Sequence, residues 1–134
     1  MALKAKHKEI EFGVGDVIRV VQKIKDDNKS RTQAFEGTVL GIKGRGETKT
    51  FTVRRIGTQN IGIERIFPLN MPSIEEIEVV KEGVRGVRRA KLYYTRDKSK
   101  KEIESIYSRT KQRGEKLEKT KKTPKKKRKS SKKK

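Results

Sequence analysis

The amino-acid sequence predicts an all-β body, either a small barrel or a sandwich, followed by a basic C-terminal extension. Twenty of the 32 hydrophobic residues in positions 10–94 are Val or Ile, whose branched side chains favour strands. Ten glycines divide the same segment at intervals typical of turns between short strands. The last 27 residues contain one hydrophobic side chain, Leu117, so they cannot contribute to a core.

The distribution of apolar and charged residues predicts three parts in the chain of 134 residues: a short basic leader over 1–11, a β body over 12–97 and a basic extension over 98–134. The net charge is +21, and residues 108–134 hold 15 Lys or Arg against 2 Glu, a net of +13. We expect this tail to be disordered until it meets an anionic partner, because it cannot offset the entropy of its own ordering.

The first half of the body predicts two strands. The leader before it is polar and has no clear period. A turn, Phe-Gly-Val-Gly-Asp over 12–16, leads into a strand over 17–24, and the polar run 26–30 forms a loop by composition. The next strand covers 33–43, with Phe35 and Val39 on one face.

The second half predicts four further extended segments and one helix. Residues 48–56 alternate in character over nine positions, the period of a strand, after a tight turn at Gly44-Arg-Gly46. Ile61 and Ile63 begin a short strand that stops at Pro68, and the segments 74–81 and 84–94 follow. The spacing of Ile103, Ile106 and Tyr107 predicts a short amphipathic helix over about 98–113.

Several classes of function are excluded by residue content. Without cysteine there is no disulfide and no thiolate metal site. The longest uncharged stretch, 66–74, has nine residues, where a membrane span needs about 20, so we expect no membrane association.

The sequence also offers no residues that indicate a catalytic or cofactor site. The only histidine, His7, lies among lysines in the leader, and we expect it to be a solvated residue without the orienting partner that catalysis needs. The acidic runs at 26–27 and 75–78 are most simply solvent-exposed, and the glycines of 41–46 lack the Gly-Lys-Ser/Thr ending of a phosphate loop. We expect no catalytic residue, no metal, no cofactor and no small-molecule substrate.

Basic side chains instead predict a polyanion-binding protein, with nucleic acid as the obvious partner. They gather in the hairpin 43–55, in the segment 85–96 and in the tail, and Arg in particular suits phosphate because its guanidinium donates forked hydrogen bonds. If the segment 84–94 is extended, Tyr93 and Tyr94 point to opposite faces, one into the core and the other towards an RNA base or a partner protein. The candidate RNA-binding residues are Lys43, Arg45, Lys49, Arg54, Arg55, Arg85, Arg88, Arg89, Lys91, Tyr94, Arg96, Lys125, Lys126, Lys127 and Arg128.

Several strings in the body closely resemble the bacterial large-subunit ribosomal protein family numbered nineteen. The most specific are Gln33-Ala-Phe-Glu-Gly37, Phe51-Thr-Val-Arg-Arg-Ile56 and Ala90-Lys-Leu-Tyr-Tyr94, and the resemblance runs over about 12–96. It implies an SH3-like β-barrel without catalytic activity or cofactor, located in the ribosome in the cytoplasm or in an organelle. It also implies contacts with 23S rRNA at the subunit interface, with large-subunit protein fourteen, and with small-subunit rRNA through an intersubunit bridge.

The sequence departs from the family pattern at both ends. Relatives often carry an N-terminal helix before the barrel, whereas only about eleven residues precede Phe12 here. After Tyr94 the chain reads differently from relatives and continues into a longer lysine tail, so no family contact beyond Arg96 is carried over to this chain.

Two other kinds of binding protein, and an enzyme, remain as alternatives. A nucleoid or chromatin protein would bind duplex DNA and would be found away from ribosomes. A transcription or translation factor on a similar barrel would associate transiently and dissociate at moderate salt, and an enzyme would need an acid, base or nucleophile that the sequence does not offer.

Overall fold

The computed structural model describes residues 4–26, 29–83 and 89–122, which form seven β-strands and one α-helix. Three short 3₁₀ turns, Gly46–Thr48, Thr58–Asn60 and Tyr93–Thr95, lie between or after the strands. In chain order the elements are β1 Lys4–His7, β2 Ile10–Gly13, β3 Val17–Asp26, β4 Lys29–Lys43, β5 Thr50–Ile56, β6 Gly62–Pro68, β7 Ile74–Lys81 and α1 Lys100–Lys122.

Five strands form one antiparallel sheet in the order β6-β5-β4-β3-β7, and β1 pairs with β2 in a separate hairpin. The predicted all-β class with a helical C-terminal extension is therefore confirmed. In the described residues β6 and β7 do not pair with each other, so the hydrogen-bonded ladder does not close into the complete ring of a barrel.

The long strand β4 joins the two halves of the sheet. Its first part pairs with β3 from Lys29 to Thr38, and its last part pairs with β5 from Thr38 to Lys43, across an irregularity between Val39 and Gly41. A change of partner together with a bulge bends the strand, and this lets the sheet wrap around a single core.

The core is a row of aromatic rings on the inner face of the sheet. Phe12 of β2 packs against Phe51 at 5.0 Å between ring centroids, Phe51 stacks on Phe67 at 5.4 Å, and Phe67 lies 6.0 Å from Phe35. All four rings are buried, together with the aliphatic side chains of β3 and β7. Such ring pairs contribute about 0.5–1.5 kcal/mol each beyond the burial of their area.

The leader, in which the sequence shows no clear period, is nevertheless structured. It forms the β1–β2 hairpin and buries Ala5 in the core. The expectation of a solvated His7 was wrong, because the ring is half-buried and its Nδ1 lies 2.9 Å from the carbonyl oxygen of Leu69. The sequence signal for strand β1 is weak, because its alternation consists of one small apolar residue, Ala5, between Lys4 and Lys6.

The prediction of an extended segment over 84–94 is also wrong for those of its residues that the structure describes. Residues 89–92 pair with no strand in a ladder, and Tyr93–Thr95 is a 3₁₀ turn. Tyr93 and Tyr94 are consequently both half-buried, and among the described residues 89–94 the fully buried side chain is Leu92.

Helix α1 ends at Lys122, whereas the sequence predicted a helix over about 98–113. Its start is fixed by a capping box: the Ser99 N–H donates to Glu102 Oε2 at 2.9 Å and the Glu102 N–H donates to Ser99 Oγ at 3.4 Å. The hydrogen bond from the Ser99 backbone and the nearby charge of Lys98 lower the pKa of Glu102. The three-part division of the chain stays a prediction.

Candidate nucleic-acid interface

Four of the predicted basic residues converge on one open cleft of about 530 Å³. Lys43, Arg45 and Lys49 enter it from the β4–β5 connection, and Lys91 enters from the segment after β7. Ile42 and two loop glycines supply the rest of the lining, and none of the described residues that line the cleft is acidic. A concave surface with four cations and no carboxylate is suited to an anion.

The β4–β5 connection holds its shape because two positions accept left-handed backbone. Gly44 has φ +83° and Gly46 has φ +55°. A Cβ on Gly44 would lie 2.5 Å from the carbonyl oxygen of Thr48, so only glycine fits there. The Thr48 hydroxyl donates to the carbonyl of Arg45 at 2.9 Å, which closes the turn and leaves the Arg45 side chain exposed.

Lys91 reaches the cleft because the segment that carries it is fastened to β4. The Leu92 N–H donates to the carbonyl of Leu40 at 2.7 Å, and the Leu92 side chain is completely buried. Gly41 leaves room for this approach, since a Cβ there would lie 3.3 Å from Lys91 Cγ and 3.4 Å from the hydroxyl of Tyr93 and would require them to shift slightly. Lys91 and Tyr93 therefore lie directly over β4.

Arg54 and Arg96 have another role in the structure, because both pair with Glu64 of β6. Arg54 Nη1 donates to Glu64 Oε1 at 2.9 Å, while Arg96 makes a forked contact at 2.7 and 2.6 Å. The Arg54 and Glu64 side chains are 21% and 22% exposed. Hydrogen bonds from Arg96 first, and then from Arg54, hold the pKa of Glu64 below its ordinary value despite the opposing effect of burial.

Cationic side chains lie over the rings of both tyrosines in the 3₁₀ turn Tyr93–Thr95. The Arg96 guanidinium lies 4.4 Å from the centroid of the Tyr93 ring, and Lys43 Nζ lies 5.9 Å from the same centroid. Arg89 lies 5.1 Å from the centroid of Tyr94. Burial raises the pKa of Tyr107 on α1, and the neighbouring Tyr94 adds to the effect. Tyr107 is half-buried.

The remaining sequence candidates are Arg55 and six residues outside the described part of the chain. Arg55 is exposed near the end of β5, away from the cleft. Sequence reasoning missed Glu64 and Arg65, although their places in the alternating run of 61–66 put them on opposite faces of β6. Six candidates lie outside the described residues: Arg85, Arg88, Lys125, Lys126, Lys127 and Arg128.

The part of the chain that the structure describes contains neither a candidate metal site nor a candidate membrane-spanning helix. No group of three His, Cys, Asp or Glu side chains is placed to hold a metal ion. Within the same residues, no helix has the length and apolar character needed to cross a membrane.

Comparison with known protein families decides where the chain belongs. The family model described as ribosomal protein L19 matches residues 2–113, which is most of the chain. The chain belongs to the ribosomal protein L19 family. It is thus a large-subunit ribosomal protein that takes part in translation, it is not an enzyme, and its place is the ribosome of the bacterial cytoplasm.

Curated members of the L19 family are similar over the β body. A large ribosomal subunit protein bL19 from Thermosipho melanesiensis is 62% identical over 87 residues, which cover 65% of this chain and 74% of the relative. The bL19 of Thermosipho africanus is 60% identical over the same shares. The bL19 of Persephonella marina is 57% identical over 88 residues, 66% of this chain and 64% of the relative. The family predicted from the sequence is confirmed.

Proposed function

We propose that this L19-family protein is a structural constituent of the large subunit that binds 23S rRNA at the subunit interface by neutralising backbone phosphates. The observation that carries the proposal is the cleft in which Lys43, Arg45, Lys49 and Lys91 meet. Within the described residues these four cations form no ion pair, whereas Arg19, Arg54 and Arg96 are each held by a carboxylate. The four cations are therefore available to a ligand.

Folded RNA suits such a surface because it presents phosphates and 2′-hydroxyls on an irregular shape, and base readout is not needed. Each phosphate that a cation neutralises releases counterions, so the logarithm of the binding constant falls as the logarithm of the salt concentration rises. The slope of that dependence counts the phosphates that the protein contacts.

The test replaces three cleft lysines with glutamine: Lys43→Gln, Lys49→Gln and Lys91→Gln. We expect binding of the full chain to 23S rRNA to weaken and the salt slope to fall by about two to three, one for each lost phosphate contact. A filter-binding or fluorescence titration over a range of salt concentrations measures both quantities.

The matched control removes the same number of lysines that are already paired with carboxylates. Lys4, Lys23 and Lys98 form ion pairs with Glu11, Glu75 and Glu102. Their triple glutamine variant has the same net charge as the cleft variant. Equal losses of slope in the two variants would show that net charge alone, and not the cleft, binds the RNA.

The finer placement in the ribosome is proposed on the family resemblance. It comprises contact with large-subunit protein fourteen and an intersubunit bridge to small-subunit rRNA. The edge strands β6 and β7 are the surfaces where a neighbouring sheet could add. Crosslinking from positions on each edge in intact ribosomes tests this, since the proposal requires crosslinks to protein fourteen and to small-subunit rRNA.

A further inference from the structure

A second group of cations lies on the inner face of the sheet at the far end of β5. The Arg55 and Arg65 guanidinium carbons lie 5.1 and 5.3 Å from the centroid of the same ring, that of Phe35. Arg65 also lies 5.7 Å from the centroid of Phe67. The two charges therefore share the edge of the aromatic core.

The strand register explains why the two arginines are neighbours. Arg55 of β5 pairs with Ile63 of β6, and Val53 pairs with Arg65. Arg55 and Arg65 are consequently diagonal neighbours on one face, a relation that separates them by about 7–8 Å. Since both guanidinium groups lie over the Phe35 ring, their like charges repel each other, and an anion bound between them would relieve this repulsion.

No carboxylate of the described residues neutralises this pair. Arg55 forms no ion pair there, and the polar contact of Arg65 is a long one, 3.5 Å from its Nη1 to Gln33 Oε1. By contrast, Arg19 on the outer face bonds both Glu36 and Glu78. The sheet thus supplies carboxylates for arginines elsewhere and leaves the Arg55–Arg65 pair without one.

The stacking arrangement orients the guanidinium groups for a forked contact. A guanidinium that lies on an aromatic face covers its plane and leaves its N–H edge towards solvent. Phosphate oxygens match that edge in spacing and charge. The rings also restrict the arginine side chains before any ligand arrives, which lowers the entropy cost of binding.

We propose that Arg55 and Arg65 form a second RNA phosphate site, separate from the cleft. The proposal rests on the proposed function. Lys49 immediately precedes β5, and Arg55 lies five residues beyond Thr50, about 17 Å along the strand. One phosphate cannot reach both sites, so an RNA bound at both must present phosphates about this far apart, and the second contact gains affinity because it is intramolecular.

RNA fits this site better than an acidic protein segment does. The chain carries a net charge of +21, and the cleft at the other end of β5 is cationic too, so the whole body attracts an extended polyanion. An acidic protein partner is the outcome that the crosslinking experiment below would reveal instead.

The test substitutes methionine at both positions, Arg55→Met with Arg65→Met. Methionine keeps an apolar chain over Phe35 and Phe67 but removes the charge. We expect about tenfold weaker binding of the full chain to 23S rRNA at moderate salt and a salt slope lower by about two. The control, Arg19→Met with Lys23→Met, removes two charges that are already paired with carboxylates, and we expect it to keep the wild-type slope.

Photocrosslinkers at positions 55 and 45 of the assembled subunit give the second readout. The proposal requires crosslinks from both positions to rRNA, and crosslinks from position 55 to protein alone would overturn it. An unchanged salt slope in the methionine variant would overturn it as well, while the cleft variant still tests the proposed function. If wild-type protein fails to bind 23S rRNA, the proposed function fails first.

If the double variant does not fold, the single variant Arg55→Gln, at an exposed position, replaces it, and we expect its salt slope to be lower by about one.

Discussion

Glycine at position 41 lies beneath the side chains of Lys91 and Tyr93. Its missing side chain lets Lys91 and Tyr93 lie on β4, at distances that a Cβ would make tighter than ordinary contacts. Lys43 also lies over the Tyr93 ring, so the same position brings cations from two distant parts of the chain together. A single residue without a side chain thus contributes to the shape of the cleft.

The variant Gly41→Val tests this role. The added methyl groups push Lys91 and Tyr93 off the strand, and we expect a loss of stability of about 1–3 kcal/mol, typical of overpacking, together with several-fold weaker binding to 23S rRNA. Thermal unfolding and an RNA titration measure the two effects. Ala34→Val, at an exposed position on the same strand, is the control, and unchanged RNA affinity in Gly41→Val would contradict the role assigned to Gly41.

The arginines of this protein have two distinct kinds of neighbour. Arg19, Arg54 and Arg96 bond carboxylates and hold parts of the fold together. Arg55 and Arg65 lie on aromatic rings and carry no ion pair in the described residues. The sequence shows the same residue type at all five positions, so only the neighbours distinguish a structural arginine from one available to RNA.

At the scale of elements, Glu64 fastens the segment after β7 to the sheet. Its carboxylate joins Arg54 of β5 to Arg96, and Arg54 Nη2 also donates to the carbonyl of Arg96 at 3.3 Å. The buried Leu92 anchors the other end of the same segment to β4. Between these two anchors lie Tyr93 and Tyr94, both half-buried.

The variant Glu64→Gln weakens this attachment in a pH-dependent way. Folding lowers the pKa of Glu64, so its ion pairs stabilise the fold at pH values above its ordinary pKa of 4.5, and this contribution is lost as the pH falls through the lowered value. We expect the variant to be less stable than wild type by about 1 kcal/mol at neutral pH. The difference should shrink in acid, and urea unfolding at several pH values measures it.

A constant difference between wild type and Glu64→Gln at every pH would contradict the ion-pair explanation. Glu76→Gln, an exposed glutamate on β7 for which no ion pair is seen in the described residues, is the matched control, and we expect it to change stability little.

For the whole molecule, the separation of apolar and charged residues predicts that the body folds without the tail. Deleting 115–134 removes 12 of the 38 basic residues, and the buried hydrophobic residues of the described chain all precede it. We expect weaker binding to 23S rRNA and a smaller salt slope, with an unchanged near-ultraviolet spectrum and thermal transition. Loss of the folded body on this deletion would refute the division of the chain.

The sequence by itself determined the fold class and the family, because both depend on local patterns. Alternation over 48–56 predicted β5, which begins two residues later at Thr50, and the strings around Gln33, Phe51 and Ala90 identified the family. It did not predict that β4 starts at Lys29, because the polar composition of 26–30 concealed the pairing of Asp26 with Lys29. It also missed the β1–β2 hairpin.

Only the tertiary structure decided which cations act together. Lys91 joins Lys43 across 48 positions of the chain, and Arg96 joins Glu64 across 32. Such contacts depend on strand register and on the path of the segment after β7, which no local pattern encodes. Charge composition is a property of the sequence, but the placement of charges beside carboxylates, rings or open solvent is a property of the fold, and it determines which of them can bind RNA.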